Sequence, residues 1–347
     1  MTAKKPGTGG NVYIPYEKRT GEESVVYFTR DLSPEGLIRM YDRVSSNLTG
    51  KIAIKLHTGE PEGPNIIPRP WVRSLLDERL KDKGTIVETN TYYDGGRYTT
   101  EDHRKTLETN GWTFSPVDIM DEEGVATLPV HNGKWFTEMH VGSHLLNYDS
   151  FLALTHFKGH TQGGFGGSNK NIGIGCADGR IGKAEIHTTP GSDDQWDIAK
   201  EEFMERMTES THATVDHFGK KISFINVMRN MSVSCDCEGK EGEPVQTPDV
   251  GILGSLDILS IDQACVDIIY AMPQHAGRHM IERIESRHGL RQLTYMKELG
   301  MGNDKYRIID IDHNDKEISV TEIVKDLKPD WEPDKYNTFP GRNKIRV

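Results

Sequence analysis

The order of strand and helix signals predicts an α/β fold, with mostly parallel sheets and flanking helices that form two α/β lobes around a central cleft. Two observations support this prediction. Short apolar, β-branched runs alternate with amphipathic runs through the first half of the chain, and the alternation resumes after residue 149. A chain of 347 residues, 35% of them hydrophobic, is also long for a single core, which favours more than one lobe.

The elements of the first half follow from residue type and from helix caps. Apolar, β-branched runs predict strands, and amphipathic runs that follow a polar cap predict helices. The expected strands are 24–29, 51–57 and 84–92. The expected helices are Pro34–Val44 with Ser33 as N-cap, 70–81, and 100–110 with Thr100 as N-cap and Gly111 as stop. Ligands should gather beyond the carboxyl ends of such parallel strands.

The second half repeats the alternation and completes the predicted domain organisation. Its expected strands are 150–155, Ile222–Met228, 250–256 and a terminal strand 306–311, and its expected helices are 196–218, 262–271 and 280–299. We expect a flexible N-terminal segment (1–22), an N-terminal α/β lobe (23–148), a C-terminal α/β lobe (149–328) and an extended tail (329–347).

The composition narrows the classes of function. A formal net charge of −11 argues against a nucleic-acid-binding protein, because phosphate recognition needs a basic surface. The polar start of the chain does not look like a signal peptide, and no apolar run is long enough to span a membrane. Four unevenly spread cysteines do not suggest a disulfide framework. We expect a cytoplasmic protein with a small anionic ligand, and a redox partner protein or a homo-oligomer remains open.

A Gly- and His-rich segment, 155–187, is the strongest candidate for the functional centre. It follows a strand, and its glycines let the backbone approach a ligand and point N–H groups at an anion. His160 and Lys170 are the expected catalytic residues. The residues expected to bind an anionic cofactor or substrate are Lys158, Gly163, Gly164, Gly166, Gly167, Ser168 and Asn169. The alternative is a tight strand–turn–helix junction with buried histidines; the glycine spacings of ATP and nicotinamide sites are absent.

A second candidate is the Cys235-Asp236-Cys237 motif. Two thiols one residue apart can reach one metal ion or cluster, provided that other ligands complete the shell. The expected metal ligands are Cys235, Cys237, Cys176, His156 and His187. The alternative is that these cysteines are small buried hydrophobic residues, as Cys265 is expected to be on its apolar helix face.

Polar side chains at two strand ends of the first half form a third candidate. His57 follows the strand 51–57, and Asn90 and Arg97 follow the strand 84–92. We expect His57 and Arg97 to be catalytic and Asn90 to bind the cofactor, because an arginine can pair bidentately with a carboxylate or phosphate. Ordinary loop contacts and a helix cap are the alternative.

Four ordered blocks of sequence resemble a known family. They are KIAIKLHTGE, LTHFKGHTQGGFGGSNKNIGIGC, INVMRNMSVSCDC and DVGILGSLDILSIDQACVD. They look like the domain-of-unknown-function 362 family of uncharacterised iron–sulfur-centre proteins, which implies an α/β fold and a link to iron–sulfur chemistry. Many members carry an inserted ferredoxin module at the position after His187. Here TTPGSDDQW follows instead, so a conventional ferredoxin cluster is not expected.

A more remote resemblance is to the nickel-pincer lactate racemases. Their order of a catalytic His, a Gly-rich stretch, a cofactor-bearing Lys and a metal-ligand His is similar to His160, residues 163–167, Lys170 and His187. Their second catalytic His is replaced here by Gly96. Because two-base racemisation needs a base on each face of the carbon, the replacement puts racemase activity in doubt.

Three hypotheses of function follow. The first is a metal- or cluster-assisted enzyme, an oxidoreductase or isomerase, acting on a small oxo- or hydroxy-acid. The second is a non-catalytic carrier of a metal or cluster, or an electron-transfer partner. The third is a metal-free anion-binding protein. Elemental analysis after anaerobic purification would separate the first two from the third.

Overall fold

A computed structural model of the chain describes residues 10–194, 196–325 and 327. The expected tail 329–347 lies outside the described residues, as do residues 1–9 of the expected flexible segment. Within the described residues, no helix is both long and apolar enough to cross a membrane.

Strands and helices alternate up to Thr109, as the sequence predicts, and after it the elements come in runs of strands and runs of helices. The strands are β1 Glu23–Thr29, β2 Ile52–Lys55, β3 Gly84–Glu88, β4 Val117–Ile119, β5 Val125–Pro129, β6 Glu138–Gly142, β7 Ser150–His156, β8 Lys158–His160, β9 Gly164–Gly166, β10 Ile222–Met228, β11 Gly251–Ser255, β12 Lys305–Asp310 and β13 Lys316–Ile318. The helices are α1 Pro34–Val44, α2 Arg69–Leu75, α3 Thr100–Thr109, α4 Ser168–Cys176, α5 Gly182–His187, α6 Lys200–Phe218, α7 Ile258–Ala271, α8 Gln274–Ser286, α9 Arg291–Glu298 and α10 Val320–Lys325.

One nine-stranded, mostly parallel sheet forms the centre of the fold, which confirms the predicted α/β class. Its strand order is β13-β12-β1-β11-β10-β7-β2-β3-β4. Strand β11 runs antiparallel to both of its neighbours and β13 antiparallel to β12, whereas the other neighbours are parallel. The sheet draws strands from both expected lobes, 23–148 and 149–328; the division of the chain at residue 149 stays a prediction.

Helices cover both faces of the sheet, and each face has its own apolar core. Strands β7 and β10 are buried at all seven of their positions, which is typical of central strands covered on both sides. One face packs Ile54 and Leu152 against α1 and α2, with Trp71 fully buried there. The other face packs Phe151 and Phe224 against the helices that follow β9, including α6 and α7.

Some boundaries and short elements differ from the sequence prediction. Thr99, and not Thr100, caps α3, since its hydroxyl accepts from the Asp102 amide. The predicted helix 70–81 is α2 followed by a π-helical turn, Leu76–Leu80. The predicted helix 280–299 divides into α8 and α9, because His288 has a left-handed φ of 61°. The helix expected to open at Ser168–Lys170 is α4, whereas the elements missing from the prediction are all short: β4, β5, β6, β8, β9, β13, α5 and α10.

Four adjacent parallel strands bring distant loops to one edge of the sheet. In the order β10-β7-β2-β3, these strands end side by side at their carboxyl ends. The segments that follow them carry Cys235, His160, His57 and Arg97, in the same order. The sheet therefore places the candidate residues of both halves of the chain around one crevice, as the switch-point rule predicts.

Candidate functional site

A cavity of about 340 Å³ opens at the carboxyl ends of these four strands. Its size is in the range of pockets for small ligands. The residues lining it include His57, Arg97, His160, Lys170, Lys183, His187 and Cys237. Six of these seven were singled out from the sequence, so the structure brings together residues that are up to 180 positions apart in the chain.

Cys235 is the centre around which several of these side chains converge. Its side chain is almost fully buried and interacts with the side chains of Cys237, His57 and His160; the donor atoms of His160, Cys235 and Cys237 lie within 4.8 Å of one another. The ammonium Nζ of Lys170 lies 3.6 Å from its sulfur. Each of these four neighbours lines the cavity, so Cys235 lies directly behind the cavity wall.

Backbone amides fix the tautomers of the two histidines. The amide N–H of Gly59 donates to Nδ1 of His57 at 2.9 Å, and the amide N–H of Gly163 donates to Nδ1 of His160 at 2.7 Å. A ring nitrogen that accepts carries no proton, so in both neutral rings the proton is on Nε2. Both neutral histidines therefore carry their proton on Nε2, and both rings interact with the side chain of Cys235.

Burial and neighbouring cations keep both histidines neutral. Burial, with the charge of Arg97, lowers the pKa of His57 to about 4. Burial, with the charge of Lys170, lowers the pKa of His160 as well. At neutral pH the two rings are hydrogen-bond donors without charge, and Lys170 supplies the positive charge next to the sulfur.

The two thiols share one proton. Burial opposes ionisation of Cys235, but the hydrogen bond from Cys237, the charge of Lys170 and the hydrogen bond from His160 together hold its pKa well below the usual value. The same hydrogen bond and burial raise the pKa of Cys237. Cys235 is therefore the thiolate and Cys237 the thiol, and Cys237 lines the cavity.

Asp236 anchors the motif between its two cysteines. Its carboxylate accepts from His156 Nδ1 at 2.9 Å and from Lys158 Nζ at 2.9 Å. The other ring nitrogen of His156 donates to the carbonyl of Arg229 at 2.7 Å, so His156 has no lone pair left for a metal ion. The structure thus places His156 and Lys158 beneath the motif, where they position the cysteines instead of binding a ligand.

The amino terminus of α4 is already filled by a side chain of the protein. The carboxylate of Asp262 accepts from the amides of Ser168 and Asn169 at 2.8 and 2.9 Å. The expected anion at this helix end is therefore the protein's own carboxylate, and Ser168 and Asn169 are fully buried.

The glycines of this segment serve packing. A Cβ atom on Gly167 would lie 2.4 Å from the Asp262 carboxylate. Gly164 has a φ of +77°, and a Cβ there would lie 2.9 Å from the backbone of Gly289. Gly163 contributes the amide that fixes His160, and Gly166 borders the side chains of Lys158 and Lys170. None of the four glycines lines the cavity among the described residues.

His187 and Cys176, both expected metal ligands, lie in different environments. His187 lines the cavity, and its Nδ1–H donates to the carbonyl of Lys183 at 2.7 Å, which leaves Nε2 as an acceptor. Burial lowers the pKa of His187 to about 3. Cys176 is buried away from the cysteine pair, and burial raises the pKa of its thiol to about 12. The structure does not bring Cys176 to the other cysteines.

Arg97 and Asn90 are largely committed to neighbouring protein groups. Arg97 lines the cavity, but its Nε donates to Glu60 at 2.8 Å and its Nη2 to the Tyr93 hydroxyl at 3.0 Å. The side chain of Asn90 donates to Thr100 and contacts His103. The expected bidentate clamp of Arg97 on a substrate is therefore replaced by a clamp on Glu60.

Two buried lysines of the cavity were missed by the sequence reasoning. Lys55, in β2, donates to Glu88 at 2.8 Å, and a lysine inside an apolar strand was the signal for it. Lys183 donates to Thr89 and Ala177, and burial lowers its pKa to about 8. Among the described residues, neither Lys170 nor Lys183 has a carboxylate within ion-pair distance, although the charges of Asp121 and Glu88 act on Lys183 from farther away.

Two groups of side chains have donor atoms close enough to share a metal ion. The donor atoms of His160, Cys235 and Cys237 lie within 4.8 Å of one another, and Asp118, Glu122 and His144 form a more exposed group. Thiolate and imidazole suit zinc and other borderline metals. Imidazole binds a metal through a nitrogen without a proton, whereas Nε2 of His160 carries one. The donor types fit a metal ion, while the protonation of His160 favours the thiol pair without one.

Comparisons with known proteins identify a family but no activity. A family model described as "Domain of unknown function (DUF362)" matches residues 52–267, a range that contains His57, Lys170, Cys235 and Cys237. No curated protein matches the sequence.

Two solved structures show a weak likeness. One is the lactate racemase apoprotein from Thermoanaerobacterium thermosaccharolyticum, with 11% identity, a TM-score of 0.37 and coverage of 86% of this chain and 85% of that chain. The other is a protein from Thermotoga maritima, with 16% identity, a TM-score of 0.33 and coverage of 56% of this chain and 49% of that chain. At these TM-scores, neither likeness carries an argument.

Proposed function

The chain belongs to the family described as Domain of unknown function (DUF362), and from this premise we propose a function that its cavity supports. The protein is an enzyme that binds a small anionic carbonyl compound, such as a 2-oxo acid, and attacks it with the Cys235–Cys237 pair. The single observation that carries this proposal is the convergence of Lys170, His57 and His160 on the sulfur of Cys235.

The charge of the cavity supports an anionic substrate. Lys55 and Arg97 are paired with Glu88 and Glu60, whereas Lys170 and Lys183 face no carboxylate at ion-pair distance among the described residues. The Cys235 thiolate offsets the charge of Lys170, while Asp121 acts on Lys183 only from beyond ion-pair distance. A small anion would pair directly with Lys183, and a buried cation attracts it more strongly than an exposed one does.

The first chemical step keeps charge and atoms in balance. The sulfur of Cys237 forms a bond to the carbonyl carbon, and its proton moves to the thiolate of Cys235. The carbon–oxygen π electrons move onto the oxygen, which becomes an alkoxide. Lys170 and the Nε2–H groups of His57 and His160, no longer needed to stabilise the Cys235 thiolate, can stabilise that alkoxide.

Alkylation by iodoacetamide tests this assignment. Cys237 should be the modified residue at pH 7, because it lines the cavity, whereas Cys235 is almost fully buried behind it. Cys235→Ser should slow the modification at least about tenfold by removing the thiolate partner. Peptide mass spectrometry locates the adduct, and Cys265→Ser is the control that should change nothing. Equal rates for the parent protein and Cys235→Ser would contradict the proposal.

A metal centre on His160, Cys235 and Cys237 is the second candidate, because their donor atoms lie within 4.8 Å. It requires His160 to release its Nε2 proton and to lose the hydrogen bond from Gly163. The metal would act as a Lewis acid on the substrate oxygen. Anaerobic purification with elemental analysis decides: about one metal ion per chain that is lost in Cys237→Ser supports this candidate, and a metal-free, alkylatable protein supports the thiol pair.

A further inference from the structure

Three aromatic side chains together line one part of the cavity. Tyr92, His187 and Trp196 all border the cavity. The rings of His187 and Trp196 lie edge to face at a centroid distance of 5.3 Å, and those of Tyr92 and Trp196 at 5.7 Å. Phe203 lies behind them and contacts both His187 and His160. We call Tyr92, His187 and Trp196 the aromatic corner.

From this corner we propose that the cavity accepts an acid whose far end is a planar, aromatic group stacked against Trp196. The inference rests on the proposed function for the anionic end of the ligand. It adds the chemical class of the other end of the ligand, on which the residues that bind the anionic end give no information.

The exposure of Trp196 supports a ligand at this position. Its side chain is 37% exposed, although large aromatic side chains are usually covered. Its backbone is held in place, since its amide donates to Asp194 at 2.9 Å and its carbonyl accepts from Ile198 at 3.0 Å. The indole therefore borders the cavity next to the rings of Tyr92 and His187.

The geometry of the corner selects a ring that binds on one side. The rings of Tyr92 and His187 are 6.1 Å apart, which is too close for a third ring to be inserted between them. Trp196 stands at 66° to Tyr92 and at 86° to His187. A planar ligand can therefore stack on one ring while it meets another edge-on, which are the two favourable aromatic arrangements.

Neighbouring charges exclude a cationic ligand from the corner. Aromatic rings also bind cations, but Lys183 lies one helical turn before His187 and also lines the cavity. Lys170 lines the same cavity without a carboxylate partner among the described residues. Like charges would repel an ammonium group, whereas a neutral ring has no such cost.

A pair of matched acids tests the corner. The dissociation constants of phenylpyruvate and pyruvate are measured by calorimetry in the full chain with Cys235→Ser and Cys237→Ser, so that no covalent step contributes. We expect phenylpyruvate to bind at least about tenfold more tightly, which corresponds to about 1.4 kcal/mol. Adding Trp196→Ala should reduce the ratio below about threefold and leave the constant for pyruvate within about twofold.

The control is Trp135→Phe, because Trp135 lies away from the cavity against Glu205. It should keep the full preference for the ring. A ratio near one in the protein with Trp196, or a ratio that survives Trp196→Ala, would overturn the aromatic corner.

Failure of the proposed function has a different signature. If neither acid binds, the anionic end is wrong, and benzyl alcohol then tests the corner alone. Quenching of the tryptophan fluorescence by benzyl alcohol that is absent in Trp196→Phe would support the corner, and no quenching in either protein would overturn it.

Discussion

Helix α4 has two positively charged positions close together, and the protein neutralises them differently. At its amino terminus, the amides of Ser168 and Asn169 donate to the carboxylate of Asp262. At Lys170, the described partner is the sulfur of Cys235, and no carboxylate of the described residues lies within ion-pair distance. A carboxylate of the same chain can occupy the anion site of a helix amino terminus. A ligand is therefore expected at a cation that has no such carboxylate.

The largest expected effect is on the free energy of unfolding when the carboxylate of Asp262 is removed. Asp262→Ala leaves the amides of Ser168 and Asn169 without an acceptor, and the free energy of unfolding should fall by about 4 kcal/mol. Ser33→Ala, at the solvent-accessible cap of α1, is the control and should cost about 1 kcal/mol. Denaturant titration measures both. Equal losses in the two variants would mean that α4 does not depend on Asp262.

The pH dependence of stability should differ in sign between the buried histidines and Asp262. The pKa values of His57, His103 and His187 are lowered to about 4, 3 and 3, from 6.5. The unfolded chain therefore binds their protons first as the pH falls. Each histidine should cost about 1 kcal/mol of stability between pH 6.5 and 5.5, about 3 kcal/mol together.

Asp262 contributes in the opposite direction. Burial raises the pKa of Asp262 to about 6, so the folded state binds this proton before the unfolded state does. Its protonation therefore raises the free energy of unfolding as the pH falls. Urea titrations at pH 6.5 and 5.5 measure the difference. His103→Gln should reduce the fall in the free energy of unfolding between pH 6.5 and 5.5 by about 1 kcal/mol. His275→Gln, at an exposed position, should leave this fall unchanged. A loss that is the same in His103→Gln would contradict the assignment.

The smallest expected effect is on ligand binding at Lys170, whose described partner is a cysteine and not a carboxylate. Lys170→Met should weaken the binding of pyruvate about tenfold, since a hydrogen bond to a charged group contributes about 1.5 kcal/mol or more. The free energy of unfolding should not fall, because a buried ammonium is replaced by an apolar side chain. Calorimetry and denaturant titration separate the two quantities. Lys220→Met, on an exposed turn, is the control, and equal pyruvate affinity in both variants would refute a role for Lys170.

Local sequence signals predicted the regular elements well and the short ones poorly. The bounds of α1 and β10 agree with the prediction, because Ser33 supplies a cap and Ile222–Met228 is mostly apolar. The hairpin of β5 and β6 was missed, since its residues are mostly polar or only partly buried. Such strands form because their pairing partners lie nearby in space, and not because of their own hydrophobic pattern.

The structure brings several residues of the candidate site together, and their roles stay predictions. His57, His160, Lys170 and Cys237 line one cavity, as their positions after strands suggested. His156 and Ser168 lie instead among buried partners, because Asp236 and Asp262 reach them from distant parts of the chain. Those two carboxylates could not be assigned from spacing, since nothing local marks which buried amide or ring nitrogen they will meet.

The sequence by itself determined the α/β class, the strand ends at which polar side chains collect, and the family, because these depend on local patterns of residue type. Only the tertiary structure decided that Cys235 meets His57 and His160, and which nitrogen of each ring carries the proton. The order β10-β7-β2-β3 brings those residues together, and the amides of Gly59 and Gly163 fix the rings. The physical reason is that charge neutralisation in a buried site depends on distances in space. The Gly-rich segment therefore contributes His160 and Lys170 to the cavity, while the amino terminus of its helix α4 binds the carboxylate of Asp262.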